Sequence, residues 1–600
     1  MPGIQYKIKV LSALCTLLLF AALPLSAQDR VSHQLQVHNH WHPTLEAIDA
    51  ELERNRITLD EAIRQKIYAG YKPSLLQGRF KPEDSPPIRC MTPVLIEYED
   101  AKSRLNPATI AEVEELIAPK IEGDELSHLS PSGSFIFYYE TSGSDAVPME
   151  DADNSGVPDY VEQAAFAADS SYRHQVETIG FKDFLRDEPY EIEFRNTGFY
   201  GTTYSSGSTT TITVHSDFDG FPVNTHPDGD RLGALYVTIA HELKHAIQYA
   251  TNRWDGEAGR FNWIEMDATL MEEVVFDDVN DYYNYIMDYD SQSDDWNRNK
   301  PHFRSIFSNP QNPTPGAYWH VSWMLYFYEQ HGMDLFVDIW DEFERERDLP
   351  FLEAMNRALS VRNSTIDREH LVNHLWHMSS GPFLSPPDFG FSDRENYPES
   401  QFSATMQALP DSLDNRFIEP LAATYVEVIP SNVLPGQPAF QLESSVRGVG
   451  LGVIGYFRDG STDVQFTVDP GSSIQRVQTT WEWRELSDIR VALVNTNQDS
   501  SAIATLEVTS VLPDEDFLAQ NYPNPFNPST NIEFSLNETK NVRLEVYDRI
   551  GRRVATLVNG RLEQGFHSVR FDGSGLASGV YFYRIITDQT ALTKKMILVK

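Results

Sequence analysis

The spacing of apolar residues changes character several times along the chain. An unbroken apolar run fills most of 10–25, and residues 28–130 are then polar, with helix-period patches at 44–70 and 106–117 separated by Pro82, Pro86, Pro87 and Pro93. From 131 to 410 aromatic residues are dense and apolar positions recur at helical spacing, as in Tyr318-Trp319-His320-Val321-Ser322-Trp323-Met324-Leu325-Tyr326. Between 411 and 512 the period shortens to alternating runs at 424–429, 449–457, 463–468, 489–494 and 502–508, separated by Gly, Pro, Asn and Asp. Short strands at such spacing predict a β-sandwich. A second all-β unit follows in 513–600, with strands predicted at 531–535, 542–547, 567–571 and 579–586. The pattern therefore predicts a propeptide or N-terminal subdomain (28–130), an α+β chemical domain (131–410), a β-sandwich (411–512) and a second all-β unit (513–600).

Length and charge narrow the class. Six hundred residues exceed what one hydrophobic core holds. Asp and Glu number 88 against 48 Lys and Arg, a net charge of −40, which excludes a general nucleic-acid binder because nothing would neutralise phosphates. Lys7 and Lys9, the apolar run 10–25 and Leu25-Ser26-Ala27 read as a secretory signal, residues 1–27, cleaved after Ala27. No later stretch approaches a spanning length, so no stable membrane insertion is expected. Cys15 leaves with the signal, and Cys90 remains as a single thiol. An exported chain without internal disulfides makes metal ions plausible staples.

The sharpest chemical signal is His241-Glu242-Leu243-Lys244-His245. At about 100° per residue, His245 lies about 40° from His241, so both imidazoles share a helix face while Leu243 points into a core. Glu242 flanks that face, where a carboxylate can take a proton from water that Zn²⁺ has acidified to a pKa of about 7. Gln248 and Thr251 exclude the continuation that supplies a third histidine. Glu265 follows His245 by twenty residues, across a turn-forming stretch at 252–260.

These residues resemble the gluzincins, the thermolysin-like zinc peptidases, in which a His-Glu-x-x-His helix is followed at this spacing by a glutamate on the next helix. The resemblance implies His241, His245 and Glu265 as zinc ligands and Glu242 as general base. Thr269 stands where that family often places an aspartate that orients a ligand histidine, leaving Asp267 or Asp277 for that role, and Lys244 is charged where zincins carry an uncharged residue. Glu272 or Glu273 could replace Glu265 as ligand. A donor for the tetrahedral oxyanion is also needed, with Tyr318, His320 and Tyr249 as candidates beside ordinary core packing. The β run at 209–214 is either an edge strand that aligns an extended peptide or an interior strand.

A second motif, Asp151-Ala152-Asp153-Asn154-Ser155-Gly156-Val157-Pro158-Asp159-Tyr160-Val161-Glu162, resembles an EF-hand-type calcium loop. The resemblance implies Asp151, Asp153, Ser155, Val157, Asp159 and Glu162 as Ca²⁺ ligands, ahead of a helix at 160–172. An acidic turn capping that helix is the alternative. Cys90 can act as a latch on the open zinc position, as in cysteine switches, or pack as a buried structural thiol. His38, His40 and His42 could bind metal or belong to a flexible segment.

At the C-terminus, Asn521-Tyr522-Pro523-Asn524-Pro525-Phe526-Asn527-Pro528, then Val546-Tyr547-Asp548-Arg549-Ile550-Gly551-Arg552, then Leu576-Ala577-Ser578-Gly579-Val580-Tyr581-Phe582-Tyr583, and a close on Lys594 to Lys600, resemble the type A sorting domain of type IX secretion. That implies an Ig-like fold for 513–600, export across a bacterial outer membrane and the secretion machinery as partner. Residues 135–376 are also similar to a group of secreted bacterial metallopeptidases in which a Gly-x-Pro-Asp-Tyr-Val-Glu segment, here Gly156 to Glu162, precedes the zinc helix. The combined reading is a secreted zinc endopeptidase, stabilised by calcium, that acts on a protein or peptide substrate. Its rivals are a binding or adhesion protein on a decayed zincin scaffold, and a carbohydrate-active protein whose 411–512 domain binds glycans.

Overall fold

The computed structural model describes residues 42–81, 86–119, 126–254, 263–286, 304–306, 317–381, 389–397, 399–429, 436–512 and 514–600. The signal segment and His38 and His40 lie outside the described residues. The architecture is multidomain and mixed, an α/β region followed by several all-β sheets.

Two helices open the described chain, α1 (Pro43–Glu53) and α2 (Leu59–Tyr71), the second started by Thr58, whose side chain accepts from the Glu61 amide. Strand β1 (Ile88–Cys90) precedes α3 (Thr92–Ala101) and α4 (Pro107–Ile117). The buried Lys66 ammonium ties this region together, 2.5 Å from Asp49 on α1 and 2.7 Å from Glu97 on α3. Of the prolines that seemed to interrupt the sequence, Pro93 instead starts a helix: like Pro43 and Pro107 it falls in a first turn, where the missing N–H costs nothing, while Pro82 lies outside the described residues.

Two strands of the main sheet come from the stretch read as a propeptide or N-terminal subdomain. Strands β2 (Leu126–Leu129), β3 (Phe135–Tyr139), β4 (Tyr190–Arg195), β5 (Phe199–Ser206) and β6 (Thr209–His215) join β1 in the order β1-β5-β6-β4-β3-β2. β1 runs parallel to β5, β5 antiparallel to β6, and β6, β4 and β3 are mutually parallel. The 209–214 run is thus interior, and the edge beside β5 is taken by β1.

Helix α5 (Asp159–Tyr172) and the long α6 (Asp230–Asn252) cover one face, sharing a core with Phe135, Phe137, Ile192, Ile212 and Val214 of the sheet. Helix α6 lies so close to β5 that a Cβ at Gly201 would fall 2.6 Å from Thr238 Cγ2 and 2.8 Å from Glu242 Cγ. Helix α7 (Trp263–Val275) returns past α6 and is pinned by Trp263, stacked on Phe351 with centroids 4.3 Å apart. A short α8 (Tyr283–Ile286) leads to α9 (Val321–His331), α10 (Asp334–Arg345), α11 (Phe351–Val361) and α12 (Ile366–Met378), which build a second core with α7.

A two-sheet sandwich follows. One sheet has the order β13-β10-β15-β8 and the other β12-β11-β14-β9-β7, formed by β7 (Ala404–Met406), β8 (Asp411–Ile418), β9 (Ala422–Val428), β10 (Gln437–Ser444), β11 (Val449–Phe457), β12 (Thr462–Thr467), β13 (Ile474–Gln478), β14 (Leu486–Asn495) and β15 (Ala502–Val511). Its five-stranded sheet buries α12: Leu371 and Leu375 sit over Gly450 and Gly452 of β11, where a Cβ at Gly452 would come within 2.7 Å of Leu375. Residues 514–600 form a smaller pair of sheets around their own core of Ile532, Phe534, Val546, Tyr583 and Met596.

Candidate metal centre

Helix α6 turns His241 and His245 to one face, as their four-residue spacing requires, and their Nε2 atoms stand 3.1 Å apart. Glu265, from the first turn of α7, reaches both: Oε1 lies 3.1 Å from His245 Nε2 and Oε2 3.4 Å from His241 Nε2. Cys90 arrives from β1 with Sγ 3.6 Å from His245 Nε2. Ligand atoms of all four residues lie within 4.8 Å of one another, and all four residues are buried. Tetrahedral zinc, with Zn–N of about 2.0–2.1 Å and Zn–S of about 2.3 Å, separates its ligand atoms by roughly 3.3–3.6 Å. The four separations, 3.1, 3.1, 3.4 and 3.6 Å, lie in or just below that range, so this donor set fits zinc.

Both imidazoles are held through their other nitrogen, the arrangement that fixes tautomer and ring angle in metal sites. His241 Nδ1 donates to Glu272 Oε1 at 2.7 Å, and His245 Nδ1 donates to Gln248 Oε1 at 2.8 Å. Glu272 in turn pairs with Arg89, which also holds Asp281 at 2.5 Å. Gln248 Nε2 donates to Asp267 Oδ2 at 3.0 Å, and the same oxygen accepts from Trp340 Nε1 at 2.9 Å. Lys244, the charge that departed from the zincin pattern, is buried: its ammonium is 3.4 Å from Asp267 and 3.1 Å from the centre of the Phe181 ring. Asp267 therefore touches Gln248 and not a histidine directly, and Glu272 meets His241 at Nδ1, the opposite ring nitrogen from the one that faces Glu265.

Glu242 is fully buried beside this cluster. Its Oε2 accepts from Thr203 Oγ1 at 2.7 Å and Thr92 Oγ1 at 3.4 Å. Burial pushes its carboxyl pKa up, against the pull of His245 and His241. Glu265 goes the opposite way: burial is outweighed by His245 and by hydrogen bonds from both histidines, which hold its carboxyl well below the usual range. For His241, burial opposes the charged ring, yet the bonds to Glu265 and Glu272 win and raise it to about 10. Burial lowers Lys244 to about 8 against the attraction of Asp267.

The oxyanion candidates separate. Tyr318 donates its hydroxyl to Glu265 Oε2 at 2.6 Å, so it stands at the centre. His320 does not: its charged neighbours are His377 and Arg304, and burial lowers it to about 3. The reason is local, since both residues lie in the 3₁₀ turn Ala317–His320, where two residues span about 240° and so face apart. Tyr249 bonds the Gly207 carbonyl at 2.8 Å and is likewise elsewhere.

In the acidic loop the carboxylates of Asp151, Asp153 and Asp159 lie within 4.8 Å of one another. Gly156 (φ 86°) and Asn154 (φ 58°) supply the left-handed turns. The Ser155 amide donates to Asp151 and Asp153, the Gly156 amide to Asp151, and the Ser155 hydroxyl to the Val157 carbonyl. Glu162 is not part of this cluster among the described residues. α5 begins at Asp159 after Pro158, which puts Glu162 in its first turn, about 4.5 Å along the axis from Asp159.

Sequence reasoning passed over Gln248, Arg89, Thr92 and Thr203. Gln248 follows His245 by three, a spacing that puts both on one face; Thr203 reaches Glu242 from β5, which packs under α6, and Arg89 and Thr92 come in through the pairing of β1 with β5, for which the sequence carries no local signal.

Comparison with known proteins speaks to the C-terminus. Residues 520–600 match the secretion system C-terminal sorting domain. The chain is a type IX secretion passenger, secreted or displayed at the cell surface. Among the described residues no helix is long and apolar enough to cross a membrane. No curated protein matches the chain. Similar solved structures include a β-1,2-glucanase from Parabacteroides distasonis (8% identity, 30% of this chain and 31% of that one, TM-score 0.11). A β-glucuronidase from Faecalibacterium prausnitzii (10% identity, 32% and 40%, TM-score 0.11) and the adhesin domain of Epf from Streptococcus pyogenes (11% identity, 30% and 71%, TM-score 0.12) are others. The chain spans under half the length of the two glycosidases, and TM-scores this low support neither a shared fold nor a shared activity.

Proposed function

We propose that the chain is a secreted zinc-dependent endopeptidase with His241, His245 and Glu265 as ligands and Glu242 as general base. The observation that carries this reading is the convergence of both Nε2 atoms on one carboxylate, with a buried second carboxylate beside them. When bound, zinc supplies Lewis acidity, acidifying water and polarising a peptide carbonyl. Glu242, its carboxyl pKa raised by burial, takes a proton from the attacking water and returns it to the leaving amine. Tyr318 holds Glu265 through its hydroxyl and is the one oxyanion candidate at the centre. Gln248 and Glu272 keep the imidazoles turned. Asp151, Asp153 and Asp159, with the Ser155 and Val157 oxygens, hold a structural Ca²⁺ in the same reading.

One observation favours a second reading. Four protein donors are what a closed, structural zinc site uses, whereas catalytic sites leave a position open, and Cys90 makes four here. A non-catalytic protein stapled by zinc would follow. Against it stands Glu242, whose Oε1 is buried without a hydrogen bond and packs against Gly201, an arrangement with a cost and no structural return. The deciding experiment is zinc content and casein hydrolysis for the wild type and Glu242→Gln. Retained zinc with lost turnover supports the peptidase, and unchanged turnover in the variant overturns it.

A further inference from the structure

Three residues of one short segment each cover a different part of the centre. Arg89 pairs with Glu272, the carboxylate that orients His241. Cys90 places Sγ 3.6 Å from His245 Nε2, and the Thr92 amide donates to that sulfur at 3.3 Å. The Thr92 hydroxyl lies 3.4 Å from Glu242 and accepts from the Thr203 amide at 2.8 Å. The segment sits at the sheet edge, with Ile88 opposite Phe199 and Cys90 opposite Gly201, the residue against which Glu242 packs. Orienting carboxylate, ligand histidine and base are thus all contacted from β1 and the residue pair after it.

We propose that Cys90 supplies a fourth, sulfur ligand to the ion and that residues 88–92 form an internal plug that closes the centre to solvent and substrate. The proposal rests on the reading of His241, His245 and Glu265 as zinc ligands. Sulfur is a preferred zinc donor and the distance scale suits it. The thiol loses its proton to solvent on binding, and no oxidation state changes. With four protein donors, no position is left for a water to be activated. Release requires β1 to leave β5, and because β1 is an edge strand of three residues its withdrawal breaks no other strand pairing. It also uncovers the backbone edge of β5, where an extended chain can pair.

The test uses the full chain with cobalt in place of zinc, comparing the wild type with Cys90→Ala and, as a conservative check on folding, Cys90→Ser. Three readouts are taken: the near-ultraviolet sulfur-to-cobalt charge-transfer band, the spectral change on adding azide as a small exogenous ligand, and casein hydrolysis by the zinc forms. A sulfur band in the wild type that both variants lose, an azide response in the variants alone, and hydrolysis at least about tenfold faster in the variants are expected; tenfold corresponds to a plug open no more than about one-tenth of the time. A cobalt-loaded wild type without the sulfur band overturns the proposal whatever the activity. A wild type that responds to azide as the variants do overturns the plug. If both spectroscopic results hold and no form cuts casein, the plug stands and the peptidase reading falls.

Discussion

Gly201 joins the fold to the chemistry, and replacing it by alanine tests both. The new Cβ would stand 2.6 Å from Thr238 Cγ2 and 2.8 Å from Glu242 Cγ and Oε1, whereas ordinary contact begins at 3.4 Å. Neither neighbour steps aside easily, because Thr238 is β-branched, Glu242 is held by Thr203, and both are buried one helical turn apart on α6. Relief therefore means lifting α6 from β5 by nearly 1 Å, the shortfall between 2.6 Å and 3.4 Å. Overpacking of this kind costs about 1–3 kcal/mol, and a displacement near 1 Å of a catalytic group costs about a hundredfold in rate. Gly207, with φ 62° and open space around its Cβ, is the control: its alanine variant meets no neighbour and pays only backbone strain, about 1 kcal/mol. The measurements are urea unfolding, zinc content and casein hydrolysis, the last also in a Cys90→Ala background so that a closed plug does not mask the effect. The expected order is that Gly201→Ala loses more stability than Gly207→Ala and alone loses turnover. Equal stability with full turnover in Gly201→Ala would refute the close packing of Glu242 on β5.

Other outcomes follow from the same structure. Burial holds His320 and His370 down to about 3 and His377 to about 4, so these rings stay neutral in the fold while an unfolded chain protonates them below about 6.5. Their contribution is whole above 6.5 and fades as pH falls toward 4, about 1.4 kcal/mol per ring at pH 5.5; urea unfolding at pH 7 and 5.5 should show His377→Asn losing less than the wild type by that amount, and an equal loss would count against a neutral His377. Lys244→Met strands the buried Asp267 carboxylate and should cost about 3–5 kcal/mol in unfolding free energy, while a change within 1 kcal/mol would mean that the pair is not formed. Calcium at a hundredfold excess over its dissociation constant should stabilise the chain by about 2.7 kcal/mol, read as a shift in thermal unfolding that Asp153→Asn abolishes; a melt indifferent to calcium and chelator removes the ion from the acidic loop.

Much of this fold is written in local period. The sandwich strand at 449–457 and the sorting-domain strand at 579–586 appear at the predicted bounds, because alternation and turn residues fix them without help from distant chain. The segment 437–444 shows the limit: its strand reads Gln-Pro-Ala-Phe-Gln-Leu-Glu-Ser, a Pro near its start disguising a central member of the four-stranded sheet. The centre divides along the same line. His241, Glu242 and His245 are one helical motif, and Glu265 is one turn and one helix away, so spacing alone brings them into view. Cys90, Arg89 and Thr92 lie some 150 residues before the histidines and reach them only because β1 pairs with β5. No period or spacing encodes that pairing; a three-residue strand is too short to show alternation. The stretch read as a propeptide or N-terminal subdomain holds the Cys90 contact with His245, and a boundary drawn near residue 130 from composition would part Cys90 from the helix it touches.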